Sequence, residues 1–353
     1  MIAERRAQGL GLSRPELAVL LSASKSHLKM ALVSGMPANA VAPSWLRRSF
    51  PSAMVPEFGD ALAEHPLNSA IIATQLANDM VNRLGPNVLF RQVHATGGTA
   101  ADLAVAYARV IEMFNIEAVW DDIVKSVGPV DPAMSYRQHL SLVQLIKRTV
   151  RWFLRNRVKI DAGHIRVPEL NQGVQALLSS VNSGNTPVSN GDPAESALLT
   201  QIDSEYTRHV VANAGSIHLL PSIVATSQSL GLDAKQVYQT HNAVGTMLSL
   251  DFLAKSLHAT TIDSEWRVLA RDAYLEEIST VQQSFVAILL AGEKVGCVPE
   301  EDQFVALLDS KGVAVNRWFE LVAQFKSVDS PDFAVFAVLL RELAELARQA
   351  GGQ

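Results

Sequence analysis

The 353-residue sequence holds a single cysteine, Cys297. One thiol cannot close an internal disulfide and cannot by itself build a thiolate metal site, so the sequence fits a reducing compartment, with the cytoplasm as the expected location. Long apolar runs are missing too. The longest, Phe285 to Ala291 and Phe333 to Leu340, fall far short of the roughly 20 residues that a membrane span requires, and read as buried helix faces. Neither sign of charge dominates: 30 Lys and Arg stand against 35 Asp and Glu, for a formal net charge of -5. With 18% charged and 48% hydrophobic residues, this is the balance of a globular chain rather than of a disordered or nucleic-acid-coating one. The sequence thus points to no nucleic acid and no membrane as partner. The N-terminus is charged, and the apolar stretch Leu17 to Leu21 is bracketed by Glu16 and Lys25, which leaves no room for a signal-peptide core.

Catalytic motifs are absent in their turn. The nearest approach to a dinucleotide fingerprint, Gly9-Leu10-Gly11, meets Arg14 at the third glycine position and follows no strand pattern. There is no Gly-x4-Gly-Lys-Ser/Thr phosphate loop, and the 9 histidines never fall into a close ligand pair such as His-Glu-x-x-His. Ser22-Ala23-Ser24-Lys25 has Ser-x-x-Lys spacing but lacks the companion Lys-Thr-Gly, and Gly-x-Ser-x-Gly does not occur. No catalytic, cofactor-binding or metal-binding residue is therefore assigned, and no cofactor is expected in this chain.

What is present is helical periodicity almost throughout, with no run of alternating strand residues between turn signals. Capping-box spacing occurs at Ser13 with Glu16, Thr99 with Asp102, Asp192 with Glu195 and Asp233 with Gln236. Asp131-Pro132, Asp192-Pro193 and Ser330-Pro331 place a proline at a first helical position, where its missing N–H costs nothing. Leu103, Tyr107, Val110 and Phe114 form one stripe to be buried, and Ile72, Leu76, Met80 and Leu84 another. Val281, Phe285 and Ile288, and Phe333, Phe336, Leu340 and Leu343, repeat the pattern later in the chain. The expected fold is all-α: a stacked multi-helix bundle of two helical subdomains, without a Rossmann sheet. The turn-rich segment 181–193 lacks a large apolar anchor and is read as a linker or mobile loop between subdomains 1–180 and 194–353. No fixed-period repeat supports a solenoid.

The densest polar feature lies at 147–159, where Arg148, Arg151 and Arg155 share a helix face. They could form an anion or nucleic-acid patch; the plainer reading, favoured because the chain as a whole is acidic, is a basic helix end that complements the helix dipole and pairs with acidic neighbours. Trp152, Phe153 and Leu154 read as core anchors. Tyr206, His209, His218 and His241 read as isolated hydrogen-bonded residues, and Cys297 as an incidental thiol. An unrecognised helical active site would need convergent carboxylates, yet the adjacent pairs Asp121-Asp122 and Glu276-Glu277 point apart on a helix.

Several strings carry a family resemblance. Gly11-Leu12-Ser13-Arg14-Pro15-Glu16-Leu17-Ala18-Val19-Leu20-Leu21 with Ser24-Lys25 resembles a stretch of the large bacterial NAD-specific glutamate dehydrogenases. So do Asn82-Arg83-Leu84-Gly85-Pro86 with Phe90-Arg91, Thr96-Gly97 and Ala100-Ala101-Asp102, and Thr149-Val150-Arg151-Trp152-Phe153-Leu154-Arg155-Asn156-Arg157. A weaker match is Leu250-Asp251-Phe252-Leu253 with Trp266-Arg267 and Leu269-Ala270-Arg271. Their order and spacing agree over roughly residues 2 to 290.

The resemblance is to the C-terminal helical region of that family alone. It implies a parent subunit that deaminates L-glutamate to 2-oxoglutarate and ammonia with NAD at sites in a central catalytic domain, none of whose residues has a counterpart here. Ile2-Ala3-Glu4-Arg5-Arg6 reads as family sequence continuing from upstream, so the chain is expected to be a fragment. Its expected partners are the catalytic domain of the same subunit and other subunits of a homo-oligomer, in a structural, assembly or regulatory role. Arg83, Arg91, Arg148, Arg151 and Arg155 are the candidates for anion or interdomain contacts; for Arg83 and Arg91 the plainer alternative is bracing the Gly85-Pro86 turn. The rival from another class is a free-standing helical scaffold or interaction protein.

Overall fold

Glu16 accepts hydrogen bonds from the backbone N–H and the hydroxyl of Ser13, each at 2.7 Å, and so opens the first long helix where the sequence places it. At Thr99 both halves of the box form: Asp102 Oδ2 accepts from Thr99 N at 2.8 Å, and Thr99 Oγ1 accepts from Asp102 N at 3.1 Å. Such starts, with glycine stops, set the element order. The structure, a computed structural model, describes residues 2–37, 40–126, 132–182, 199, 202–291, 304–306, 308, 315–328 and 331–351. Among the described residues there are helices and no strand, so the chain is all-α.

The contacts divide the chain into two compact units, Met1–Pro221 and Ser222–Gln353. The first contains α1 (Ile2–Ala7), α2 (Arg14–Gly35), α3 (Ser44–Arg47), α4 (Val55–Ala63), α5 (Asn68–Leu84), α6 (Val88–Thr96), α7 (Ala100–Met113) and α8 (Ile116–Ser126). It continues through α9 (Pro132–Arg155), α10 (Arg157–Asp161), α11 (Val167–Asn182), α12 (Glu205–Ala212) and a 3-10 turn, Ile217–Leu219. Its centre is α7, which contacts α2, α5, α6, α8, α9 and α11. Leu103, Tyr107, Val110 and Phe114 are all fully buried along it. Each such side chain contributes about 1.5–3 kcal/mol of hydrophobic stabilisation. On α5, Leu76, Met80 and Leu84 are buried while Ile72 stays half-buried.

The division falls in the first turn of α13 (Leu220–Leu230). The second unit holds α14 (Ala234–Met247), α15 (Leu250–Ala259), α16 (Glu265–Leu290), α17 (Val315–Lys326) and α18 (Phe333–Gly351). Here α16 packs against α14, α15 and α18. Val281 and Phe285 are buried on α16, and Phe336, Leu340 and Leu343 on α18, with Ile288 and Phe333 half-buried at the ends of the stripes.

Two helix starts differ from the sequence reading. Asp233 precedes α14 in extended conformation, yet its side chain makes no capping bond and Gln236 is buried instead. At α18 the cap is Asp332, whose carboxylate accepts from Ala334 N at 2.8 Å and Val335 N at 3.3 Å, so Pro331 lies outside the helix. Asp131, Asp192-Pro193, Glu195, Cys297, Ser330 and residues 183–193 of the expected linker lie outside the described residues. No single helix among the described residues is long and apolar enough to cross a membrane.

Candidate functional site

The last two turns of α5 carry Asp79 and, four residues on, Arg83; Gly85 then ends the helix at φ 97, where a side chain would be strained. Asp79 is held from two sides. Arg83 Nε lies 2.5 Å from Oδ1, and Tyr107 of α7 donates its phenolic proton to Oδ2 at 2.7 Å. The Arg83 guanidinium also sits 3.7 Å above the ring of Trp120 from α8, a cation–π arrangement. A parallel stack lies alongside: Arg48, just after α3, is 3.7 Å above Trp45 and pairs with Glu117 of α8. Trp45 and Tyr107 meet with ring centroids 6.1 Å apart.

This polar seam ties α3, α5, α7 and α8 together. Burial pushes the Tyr107 phenol far above its usual range, with the Asp79 charge and hydrogen bond adding to the shift, so Tyr107 stays protonated and is the donor to Asp79. Burial raises Glu117, opposed by Arg48 and Arg83, and raises Glu112, opposed by Trp45 and Arg48. Each arginine is engaged by a carboxylate and an aromatic face. The arrangement fixes helices.

Beside the seam, a cleft of about 440 Å³ opens in the same unit between the 40–43 segment, α7 and α11. Arg109 and Glu112, one turn apart on α7, and Asn171 on α11 supply its polar groups among Pro43, Val105 and Val167. Burial lowers the Arg109 guanidinium, opposed by Asp161 and Glu112. The sequence reading passed over both charged residues. The signal available was two opposite charges at i and i+3 inside the otherwise apolar stretch Leu103 to Met113.

Of the arginines singled out by sequence, Arg83 belongs to the seam, while Arg91 is exposed on α6. Arg148, Arg151 and Arg155 lie on α9, where Arg148 Nη1 donates to the Gly215 carbonyl at 3.4 Å. Partial burial lowers Arg155 and the neighbouring Arg151 charge lowers it further. The junction between α9 and α10 does its clearest work through Arg157, the first residue of α10, which the sequence marks only as part of a motif. Its Nη1 donates to the carbonyls of Leu154 at 2.7 Å and Thr96 at 3.1 Å, and Nη2 donates to that of Gly97 at 3.2 Å. A Cβ on Gly98 would stand 3.2 Å from Leu154 Cδ2. Two of the family-like strings, around Thr96-Gly97 and Thr149–Arg157, thus meet in space.

Two further polar contacts join helices. Asp122 accepts from Thr207 Oγ1 at 2.6 Å, joining α8 to α12. In the second unit, Gln282 Nε2 donates to the His241 carbonyl at 2.8 Å and lies 3.2 Å from His241 Nδ1. Burial pulls His241 down to about 4, so its ring is neutral at neutral pH.

A dinucleotide does not fit the one glycine pair that resembles its fingerprint. The helix N-terminus following Gly9-Leu10-Gly11, where a pyrophosphate would sit, is taken by the Glu16 carboxylate on Ser13, a negative charge that would repel phosphate. Among the described residues no group of three or more His, Cys, Asp or Glu is placed to hold a metal ion.

Seam, cleft and helical stacking define an all-α region of two units. Residues 9–345 match the family described as "Glutamate dehydrogenase, C-terminal", and the chain belongs to that family. It is 29% identical over 355 residues to an NAD-specific glutamate dehydrogenase of Pseudomonas aeruginosa, covering 98% of this chain and 22% of that protein. With the enzyme of the same name from Halomonas elongata it shares 28% identity, over 98% of the chain and 21% of the relative. The corresponding figures for Mycobacterium tuberculosis are 26%, 99% and 22%. The chain spans about a fifth of the length of these curated relatives.

Proposed function

We propose that this chain is the non-catalytic C-terminal helical region of a large cytoplasmic NAD-specific glutamate dehydrogenase. The observation that carries the reading is the end-to-end match of the chain to about a fifth of each relative, under a family named for the C-terminal part of the enzyme. The whole subunit would oxidise L-glutamate with NAD and water to 2-oxoglutarate, ammonia, NADH and a proton, with cofactor and substrate held by the rest of the polypeptide. NAD supplies the hydride acceptor in that reaction; no step of it is assigned to residues of this chain.

The role of the region is structural, in packing against the catalytic domain of the same subunit and in assembly of a homo-oligomer. The seam of Arg48, Asp79, Arg83, Tyr107, Glu117 and Trp120 supports it, because it locks four helices into a rigid body able to present a fixed surface. The test is NAD-dependent glutamate oxidation by the 353-residue chain beside the product of its full open reading frame. Activity in the longer product alone supports the proposal. Activity in the 353-residue chain overturns it, and an intact reading frame that starts at Met1 and yields no activity moves the assignment to a free-standing scaffold.

A further inference from the structure

Helix α2 buries little of its own apolar surface. Leu28 and Leu32 are buried in the C-terminal half of the helix, which contacts α5 and α7. Leu17 and Leu21 continue the same stripe toward the N-terminus at helical spacing, yet Leu17 is 52% exposed and Leu21 37%. The face turned away from Leu28 is apolar as well, with Val19 at 65%, Met30 at 63% and Val33 at 46% exposure. A helix that is apolar on opposite sides belongs between two layers, and an open patch of this kind marks an interaction surface.

The flank between the two stripes carries Lys25 and Lys29, one turn apart. Glu16 is the lone acid of the helix, and its carboxylate is turned back onto Ser13 and toward Arg5 at 3.5 Å. Burial and charge therefore ask for a partner surface that is apolar at the centre and acidic at the rim. Resting on the function proposed above, we infer that α2 is the docking surface for the polypeptide preceding this region in the same subunit. The relatives are between four and five times as long as the match, and the matching family is their C-terminal part, so most of their chain comes before it. The first long helix lies closest to that junction, where the tether raises the effective concentration of an upstream partner. A second copy has no such tether, and an antiparallel two-fold contact through α2 would place both Lys25–Lys29 flanks on the same side.

Hydrogen exchange over residues 14–33 tests this in the 353-residue chain and in the full-length subunit, with a peptide from α7 as control. The surface assigned here exchanges at least about tenfold more slowly in the full-length protein, while α7 is unchanged. Val19→Glu with Met30→Glu in the full-length subunit removes that protection, and in the 353-residue chain leaves helix content as it was. Equal exchange in the two proteins overturns the inference. So does protection already present in the 353-residue chain, from a second copy if it grows with concentration and from another part of this chain if it does not. Glutamate oxidation is read separately: an active subunit with fast-exchanging α2 removes the docking surface and leaves the function standing, and an inactive one with protected α2 does the reverse.

Discussion

Tyr107 and Asp79 meet at 2.7 Å across the α5–α7 contact, and the phenol is the only one of Asp79's two partners that comes from another helix. Tyr107→Phe keeps the ring in the core and removes that bond. The expected loss is about 1–2 kcal/mol, read as a lower urea midpoint for the first unit by the fluorescence of Trp45 and Trp120. Asp79→Ala should cost more, since it strands both the Tyr107 hydroxyl and the Arg83 guanidinium; an equal or smaller loss would show that the seam does not act as a unit.

Arg157 donates to three carbonyls from the ends of two helices. Arg157→Ala is expected to destabilise the first unit by about 1–3 kcal/mol. Arg157→Lys should recover less than half, because a single ammonium cannot reproduce the planar fork. Full recovery by lysine in chemical denaturation would reduce the contact to simple charge.

His241 gives the second unit a defined pH response. Its folded value near 4 lies below the ordinary 6.5, so between the two the unfolded chain takes up a proton that the folded chain refuses. Stability is therefore highest above pH 6.5 and falls as the pH drops toward 4, by up to about 3 kcal/mol. His241→Gln should flatten that part of the profile in urea titrations at pH 7 and pH 4.5. His209 in the first unit, also lowered by burial, keeps a residual slope.

Gly245 faces Gln282, whose Nε2 would stand 2.8 Å from an added Cβ. That amide is already spent on the His241 carbonyl. Gly245→Ala should therefore destabilise by about 1–2 kcal/mol despite the better helix propensity of alanine. In a Gln282→Ala background the same substitution should become neutral or favourable; additive losses in the double variant would place the strain elsewhere.

Helical periodicity was legible because it needs only the chain's own pattern: Leu103, Tyr107, Val110 and Phe114 are buried as their spacing requires. The Ser13 and Thr99 caps were legible for the same reason, the partners being three residues apart. Asp233 shows the limit, since burial of Gln236 in tertiary contact displaced the local box. The seam was hidden almost entirely. Arg83 was singled out for its place beside Gly85-Pro86, but the groups that engage it, Asp79 and Trp120, include one 37 positions away on another helix. Arg109 and Glu112 belong to no motif in the sequence; what sets them apart is the cleft they line with α11 and the 40–43 segment. The family assignment was legible as strings, and the Arg157 contacts give a physical reason why two of those strings belong together.

The Arg157 clamp also dictates where the polypeptide can change length. At 96–99 the carbonyls of Thr96 and Gly97 are fixed by one guanidinium, Gly97 sits at φ 67, and Thr99 is locked to Asp102. One inserted residue would put every one of those groups out of register. The turn at Gly163 is held by its own backbone instead, with φ 74 and the His164 and Ile165 N–H groups both donating to the Lys159 carbonyl, so an added residue there breaks local bonds and leaves the clamp untouched.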